Sequence, residues 1–288
     1  MRIGKGVKKV LVAIDGSESG MNALRQSFRL AAQEKSWITV VCVVPPYQGD
    51  LDMVGVGNVM EAMRKPCEDA LKEAESMAKA EGALIKTVCE EGEAYERIID
   101  LAEAENAELI IMGRRGLSGL ERALMGSVTA RVIGHSRRDV LVVPRTATEV
   151  SWKRILLAID GSKYSAAAIE RAIDFAEGYG GELRIISVVD LPTEFYGEAP
   201  NVVDDIIGKA KGYVEAAQKK AGERGVRAET FVREGETHQV IADMAKELQA
   251  DTIVMGSHGR TGLKRLLMGS TTEKVIGYAS CPVLVVRA

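Results

Sequence analysis

Two aspartates and two glycine-rich stretches carry the residues best suited to chemistry. Asp15 and Asp160 each end an apolar run and open the tripeptide D-G-S. The stretch 112–127 reads M-G-R-R-G-L-S-G-L-E-R-A-L-M-G-S, and 255–270 reads M-G-S-H-G-R-T-G-L-K-R-L-L-M-G-S. They agree at ten of sixteen positions with four glycines in register, which chance does not produce. Each follows a short apolar run and precedes a helical pattern, so the context is strand, glycine loop, helix. Glycine lets the backbone turn through positive φ and gather N–H groups in one concavity, and a helix N-terminus adds unpaired donors and partial positive charge. Phosphate fits such a place. Ser127 and Ser270 then open the helices as capping or phosphate-binding hydroxyls. A tight strand-to-helix turn with an ordinary serine cap is the alternative for one such loop; its recurrence favours phosphate.

Catalytic chemistry is less well supplied. Phosphoryl transfer needs a positioned base or water-orienting group and usually Mg²⁺. Asp15 and Asp160 would serve through such a metal, but no spacing sets a second carboxylate beside them. There is no G-x4-G-K-[ST] and no G-x-S-x-G, and His135, His238 and His258 all have non-histidine counterparts in the repeat.

The elements that must hold these residues follow from length and periodicity. A chain of 288 residues, 46% hydrophobic, suits about two domains of ~150 residues each. Asp15 matches Asp160 at an offset of 145 and Gly113 matches Gly256 at 143, which sets domains at 1–146 and 151–288. In the first half, strands are expected over 7–14, 38–44, 83–89, 107–111 and 140–143, with helices over 18–35, 59–81, 93–105 and 127–135 between them. A glycine-rich loop is expected over 47–58. The second half repeats the pattern, with 194–203 as the loop counterpart and a helix over 204–224. His238 replaces the aromatic Tyr95 and reads as structural. Alternating strands and helices argue a doubly wound α/β fold with right-handed crossovers, two tandem parallel five-stranded sheets. Strand order 3-2-1-4-5 places Asp15 and Gly113 at one switch point, where open parallel sheets take their ligands.

A net charge of −3 supplies no basic field for nucleic acid, and no apolar run approaches the ~18 residues of a membrane span. The cysteines, Cys42, Cys67, Cys89 and Cys281, show no C-x-x-C spacing and read as reduced filler, which favours a cytoplasmic setting.

The chain resembles the universal stress protein family in a tandem two-domain form. The family's G-x2-G-x9-G-[ST] is met by Gly113, Gly116, Gly126 and Ser127, and by Gly256, Gly259, Gly269 and Ser270. Its D-G-S-x-x-S opening is met by Asp160, Gly161, Ser162 and Ser165, whereas the first copy has Gly20 at the last position. The resemblance implies a Rossmann-like, adenine nucleotide alpha hydrolase-like fold and a site for ATP or AMP, with magnesium as candidate metal. It carries over to Ala13, Asp15, Val43, Gly113, Arg115, Gly116, Gly126, Ser127 and Val128 in one half. In the other it carries over to Ala158, Asp160, Val188, Gly256, His258, Gly259, Gly269, Ser270 and Thr271. The aspartate stands by the ribose, main chain near Val43 or Val188 meets the adenine, and the motif holds the phosphates. It also implies pairing through the fifth strand, as an intramolecular pseudo-dimer or a homodimer. An adenine-nucleotide-binding signalling or stress module is the leading expectation, ahead of a slow Mg²⁺-dependent hydrolase or phosphotransferase and a nucleotide-free scaffold. Arg114-Arg115 stands where the second copy has Ser257-His258, so nucleotide affinity of the second half is expected to weaken between about pH 5.5 and 7.5 more than that of the first.

Overall fold

The computed structural model describes residues 6–34, 36–46, 56–116, 125–259 and 268–288. Val7–Thr148 forms one compact unit, and Glu149–Ala288 lies in the other. The first contains β1 (Lys9–Ile14), α1 (Glu18–Glu34), β2 (Trp37–Val44), α2 (Val56–Glu81), β3 (Ile85–Glu91), α3 (Ala94–Ala104), β4 (Leu109–Gly113), α4 (Ser127–His135) and β5 (Asp139–Val143). Its strands lie in the order β3-β2-β1-β4-β5, and each adjacent pair is parallel. The second contains β6 (Arg154–Ala158), α5 (Lys163–Tyr179), β7 (Glu182–Val189), α6 (Glu194–Glu198), α7 (Pro200–Glu223), β8 (Ala228–Glu234), α8 (Thr237–Glu247), β9 (Thr252–Gly256), α9 (Ser270–Tyr278) and β10 (Val283–Val286). Its order is β8-β7-β6-β9-β10, again parallel throughout. Each half is a doubly wound α/β domain.

The near-continuous apolar strands follow from that winding. In the first half, α1 and α2 pack on each other, and so do α3 and α4, with the sheet between the pairs. Leu11, Val12, Val40, Val41, Ile110 and Leu141 are therefore essentially inaccessible, each contributing about 2 kcal/mol of transfer free energy. In the second half Trp152 lies stacked on Phe175 of α5, ring centroids 4.0 Å apart.

Three local expectations change. Residues 56–58 belong to α2 and not to a loop, while 47–55 lie outside the described residues. Over 194–203 the chain is helical: α6 is followed by α7, whose first residue is Pro200, a position that tolerates proline because that N–H has no helical partner. The reading of His238 is refined. It is buried and its ring lies 5.2 Å from Tyr278, whereas the equivalent positions in the first half, Tyr95 and His135, lie 5.3 Å apart. The same aromatic contact is made with its two partners exchanged.

Candidate functional site

In each half, the switch point lies where the first strand runs between the second and the fourth. Asp15 follows β1 and Asp160 follows β6, and the chain turns at once through Gly16 and Gly161, both at φ +79°, a conformation that favours glycine. The carboxylates are held differently. Ser162 N–H donates to Asp160 Oδ1 at 3.0 Å and Ser165 Oγ donates to the same oxygen at 2.6 Å. In the first half Gly20 stands in place of Ser165, and Ser17 supplies both donors, N–H at 3.1 Å and Oγ at 2.6 Å. One Oδ1 bond of equal length is thus made from the residue before α1 in one half and from the third residue of α5 in the other.

The other carboxylate oxygen faces the glycine stretch. A Cβ at Gly116 would lie 2.2 Å from Asp15 Oδ2, and one at Gly259 would lie 2.9 Å from Asp160 Oδ2. Glycine is required here for close approach. It is required at Gly113 for another reason: a Cβ there would lie 2.6 Å from the Ser19 carbonyl carbon, so β4 and the start of α1 touch backbone to backbone. Tyr164 plays that part against Gly256. None of the six described motif glycines has positive φ, which corrects the expectation of left-handed turns.

The serine reading is corrected too. Gly126 and Gly269 are the N-caps, with extended φ/ψ of −70°/144° and −68°/142°, and Ser127 and Ser270 are the first helical residues. Neither cap makes a side-chain bond. Each glycine N–H donates back across the stretch, Gly126 to Arg114 O and Gly269 to Ser257 O, both at 2.9 Å. Two threonines that sequence reasoning missed fasten the helices: Thr129 Oγ1 donates to Gly113 O and Thr272 Oγ1 to Gly256 O, both at 3.1 Å and buried. Their signal was present as a hydroxyl residue repeated two positions after each G-S.

These elements enclose a cleft of about 120 Å³ in the first half. Ala13, Asp15, Val43, Gly113, Arg115, Gly116, Gly126, Ser127 and Val128 all line it. The second-half cleft is about 250 Å³, and Ala158, Asp160, Val188, Gly256, His258, Gly259 and Thr271 line it. Gly269 and Ser270 do not; Gly269 packs behind the wall, its missing Cβ 3.4 Å from His258 Cα. The floors are apolar, with Ile98 and Met112 or Ile241 and Met255.

The ends of the clefts diverge. Beside the first, a cavity of about 610 Å³ is lined by Arg114, Arg115 and Arg145, with Arg115 and Gly116 shared between the two spaces. Burial, and then the neighbouring Arg115 charge, lower the Arg114 pKa from its usual range. Arg145 pairs with Glu18 at 2.8 Å. In the second half His258 Nδ1 lies 3.2 Å from Ser257 Oγ, and its ring is 5.1 Å from Tyr164. That cleft also holds a second carboxylate, Asp190, which accepts from Thr237 N–H and Oγ1 at 3.2 Å each. Sequence reasoning missed Asp190, although it directly follows β7 at the carboxyl end of the sheet. Among the described residues, no group of three or more His, Cys, Asp or Glu is arranged to hold a metal ion, and no helix is long and apolar enough to cross a membrane.

The model of the Universal stress protein family matches this chain twice, over residues 6–144 and 151–287. Universal stress protein YxiE of Bacillus subtilis is 38% identical over 152 residues, which span 47% of this chain and 99% of that protein. A universal stress protein of Mycolicibacterium smegmatis is 27% identical over 292 residues, 96% of each chain. The crystal structure of a universal stress protein from Archaeoglobus fulgidus superposes with a TM-score of 0.73 at 25% identity, covering 97% of this chain and 96% of that one. With both halves matched, the chain belongs to the universal stress protein family.

Proposed function

We propose that each half binds one adenine nucleotide, ATP or AMP, and that the chain acts as a nucleotide-responsive stress or signalling module. The observation that carries this reading is the close approach of an aspartate carboxylate to a glycine backbone at the switch point, once per half. A carboxylate oriented by a serine bond to Oδ1 is placed to accept from a ribose hydroxyl. Phosphates would lie across the main chain at 115–116 or 258–259 and the first turn of α4 or α9, where Ser127 in the first half and Thr271 in the second offer a hydroxyl and the helix end a partial positive charge. The adenine would occupy the apolar floor, its edge read by main chain near Val43 or Val188.

Magnesium fits this arrangement only through the nucleotide. Asp15 and Asp160 would each supply one carboxylate, and the remaining ligands would come from phosphate oxygens and water. When bound, the ion would neutralise phosphate charge; this chain's own residues do the positioning.

Mass spectrometry of ligand released on denaturing the purified chain tests the reading, together with a thermal shift. At 100 Kd, nucleotide binding should stabilise the folded state by about 2.7 kcal/mol per site. No released nucleotide and no shift with ATP or AMP would leave the scaffold reading.

A further inference from the structure

Three of the four cysteines meet at one place in the first half. Cys42 and Cys89 are register partners on the parallel strands β2 and β3, so their side chains leave the same face of the sheet. Because Val41 and Val43 line the nucleotide cleft, Cys42 points to the opposite face, where α2 packs. Cys67 of α2 comes down between them. Its Sγ lies 3.1 Å from Cys89 Sγ, and it also makes a thiol hydrogen bond with Cys42. The repeat gives the contrast: the equivalent positions in the second half are Ser187, Ala210 and Val232, with Ser187 and Val232 likewise in register and Ala210 likewise buried. Small residues fill that space there without sulfur, so packing alone does not call for three thiols. Cys67 and Cys42 are buried, whereas Cys89 is half-buried and open to a small reagent.

We propose that Cys67 and Cys89 form a reversible disulfide that staples α2 to β3, with Cys42 remaining a thiol beside it. The oxidant is a low-molecular-weight disulfide. The Cys89 thiolate attacks one of its sulfurs, forming a mixed disulfide and releasing one thiol. The Cys67 thiolate then displaces the second thiol from Cys89, forming the Cys67–Cys89 bond. Both protein protons pass to the departing thiolates through solvent, so two protein thiols are oxidised while one small disulfide is reduced to two thiols. The sulfurs are already in contact across two elements that pack on each other, so closing the bond needs a shift of less than a side-chain length. Burial, and then the neighbouring Cys67, push the Cys89 thiol up to about 11 against the opposing charge of Arg64, and the hydrogen bond to Cys42, with burial, raises the Cys67 thiol further above its usual range. The reaction is therefore slow at neutral pH and quickens with alkali.

The test uses the full chain, incubated with excess oxidised glutathione at pH 8, denatured, alkylated, digested and mapped by mass spectrometry. The expected result is that two of the four thiols escape alkylation, joined in one peptide pair containing Cys67 and Cys89, and that dithiothreitol frees them. Cys67→Ala, which copies Ala210 and should fold, and Cys89→Ser should each abolish the linkage, while Cys281→Ser should leave it intact. Four alkylatable thiols, glutathione adducts without an internal bond, or a Cys42–Cys67 linkage in place of Cys67–Cys89 would overturn the proposal. The wild-type map decides the matter even if a variant fails to fold.

Discussion

The two clefts share a backbone and differ at both ends. Each has an aspartate bonded through Oδ1 to a serine at 2.6 Å, a glycine against Oδ2, and a glycine-capped helix tied by a threonine at 3.1 Å. Around that common frame, the first half gathers Arg114, Arg115 and Arg145, while the second places Ser257, His258 and Asp190. What duplication held constant is the set of contacts between chain and chain; what it let vary is the charge facing outward from them. On the proposed reading, the frame would decide whether a nucleotide fits, and the ends which phosphate state each half prefers.

The largest effects should come from breaking the frame. Gly113→Val drives a side chain into the Ser19 backbone and should cost roughly 2–4 kcal/mol of stability, read by denaturant unfolding. Gly116→Ala should displace the Asp15 carboxylate and lower first-half affinity at least tenfold, whereas Gly259→Ala, with 2.9 Å available against 2.2 Å, should cost less. Isothermal titration of the two variants, each with the other half intact, orders them; equal losses would argue against the Oδ2 contact.

Next come the ends. Replacing Arg115 by His and His258 by Arg should exchange the phosphate preferences of the two halves. A guanidinium brings a permanent charge and paired planar donors that an imidazole lacks, so the half that carries arginine should bind ATP severalfold more tightly than the same half with histidine. Titration of each variant, with affinities unchanged by the exchange, would remove the idea. Neutralising Arg145 should weaken ATP more than AMP in the first half, because its guanidinium lies beyond the shared Gly116.

The smallest effect concerns the compensated serine. Ser17→Ala and Ser165→Ala each remove the Oδ1 hydroxyl bond, worth about 1 kcal/mol. Gly20→Ser should restore most of the loss in Ser17→Ala, since a Cβ there lies 3.1 Å from Asp15 Oδ1. No rescue would mean that the first-half turn does not admit the arrangement seen in the second half.

The fold was legible because the central strands β1, β4, β6 and β9 are near-continuous apolar runs, and because every described element of the first half recurs in the second. The lining of the first cleft was legible for the same reason. Less legible was why each residue is needed. Glycine in a loop suggests positive φ, yet Gly113 and Gly116 are glycines because a helix end and a carboxylate come within 3 Å, a tertiary contact that no local pattern encodes. Ser127 resembles a cap, yet Gly126 caps, since extended φ/ψ and a back-donated N–H suffice. Asp190 stayed hidden because its counterpart is Pro45, so the repeat gave no reinforcement. Cys42, Cys67 and Cys89 meet only through strand register and helix packing, which spacing along the chain does not record.

Ligand stoichiometry tests the central claim most directly. Titrating the full chain with ATP should show two equivalents bound, with Asp15→Ala and Asp160→Ala each leaving one and the double variant none. A single equivalent in wild type, or two that survive both substitutions, would contradict a carboxylate-and-glycine site in each half.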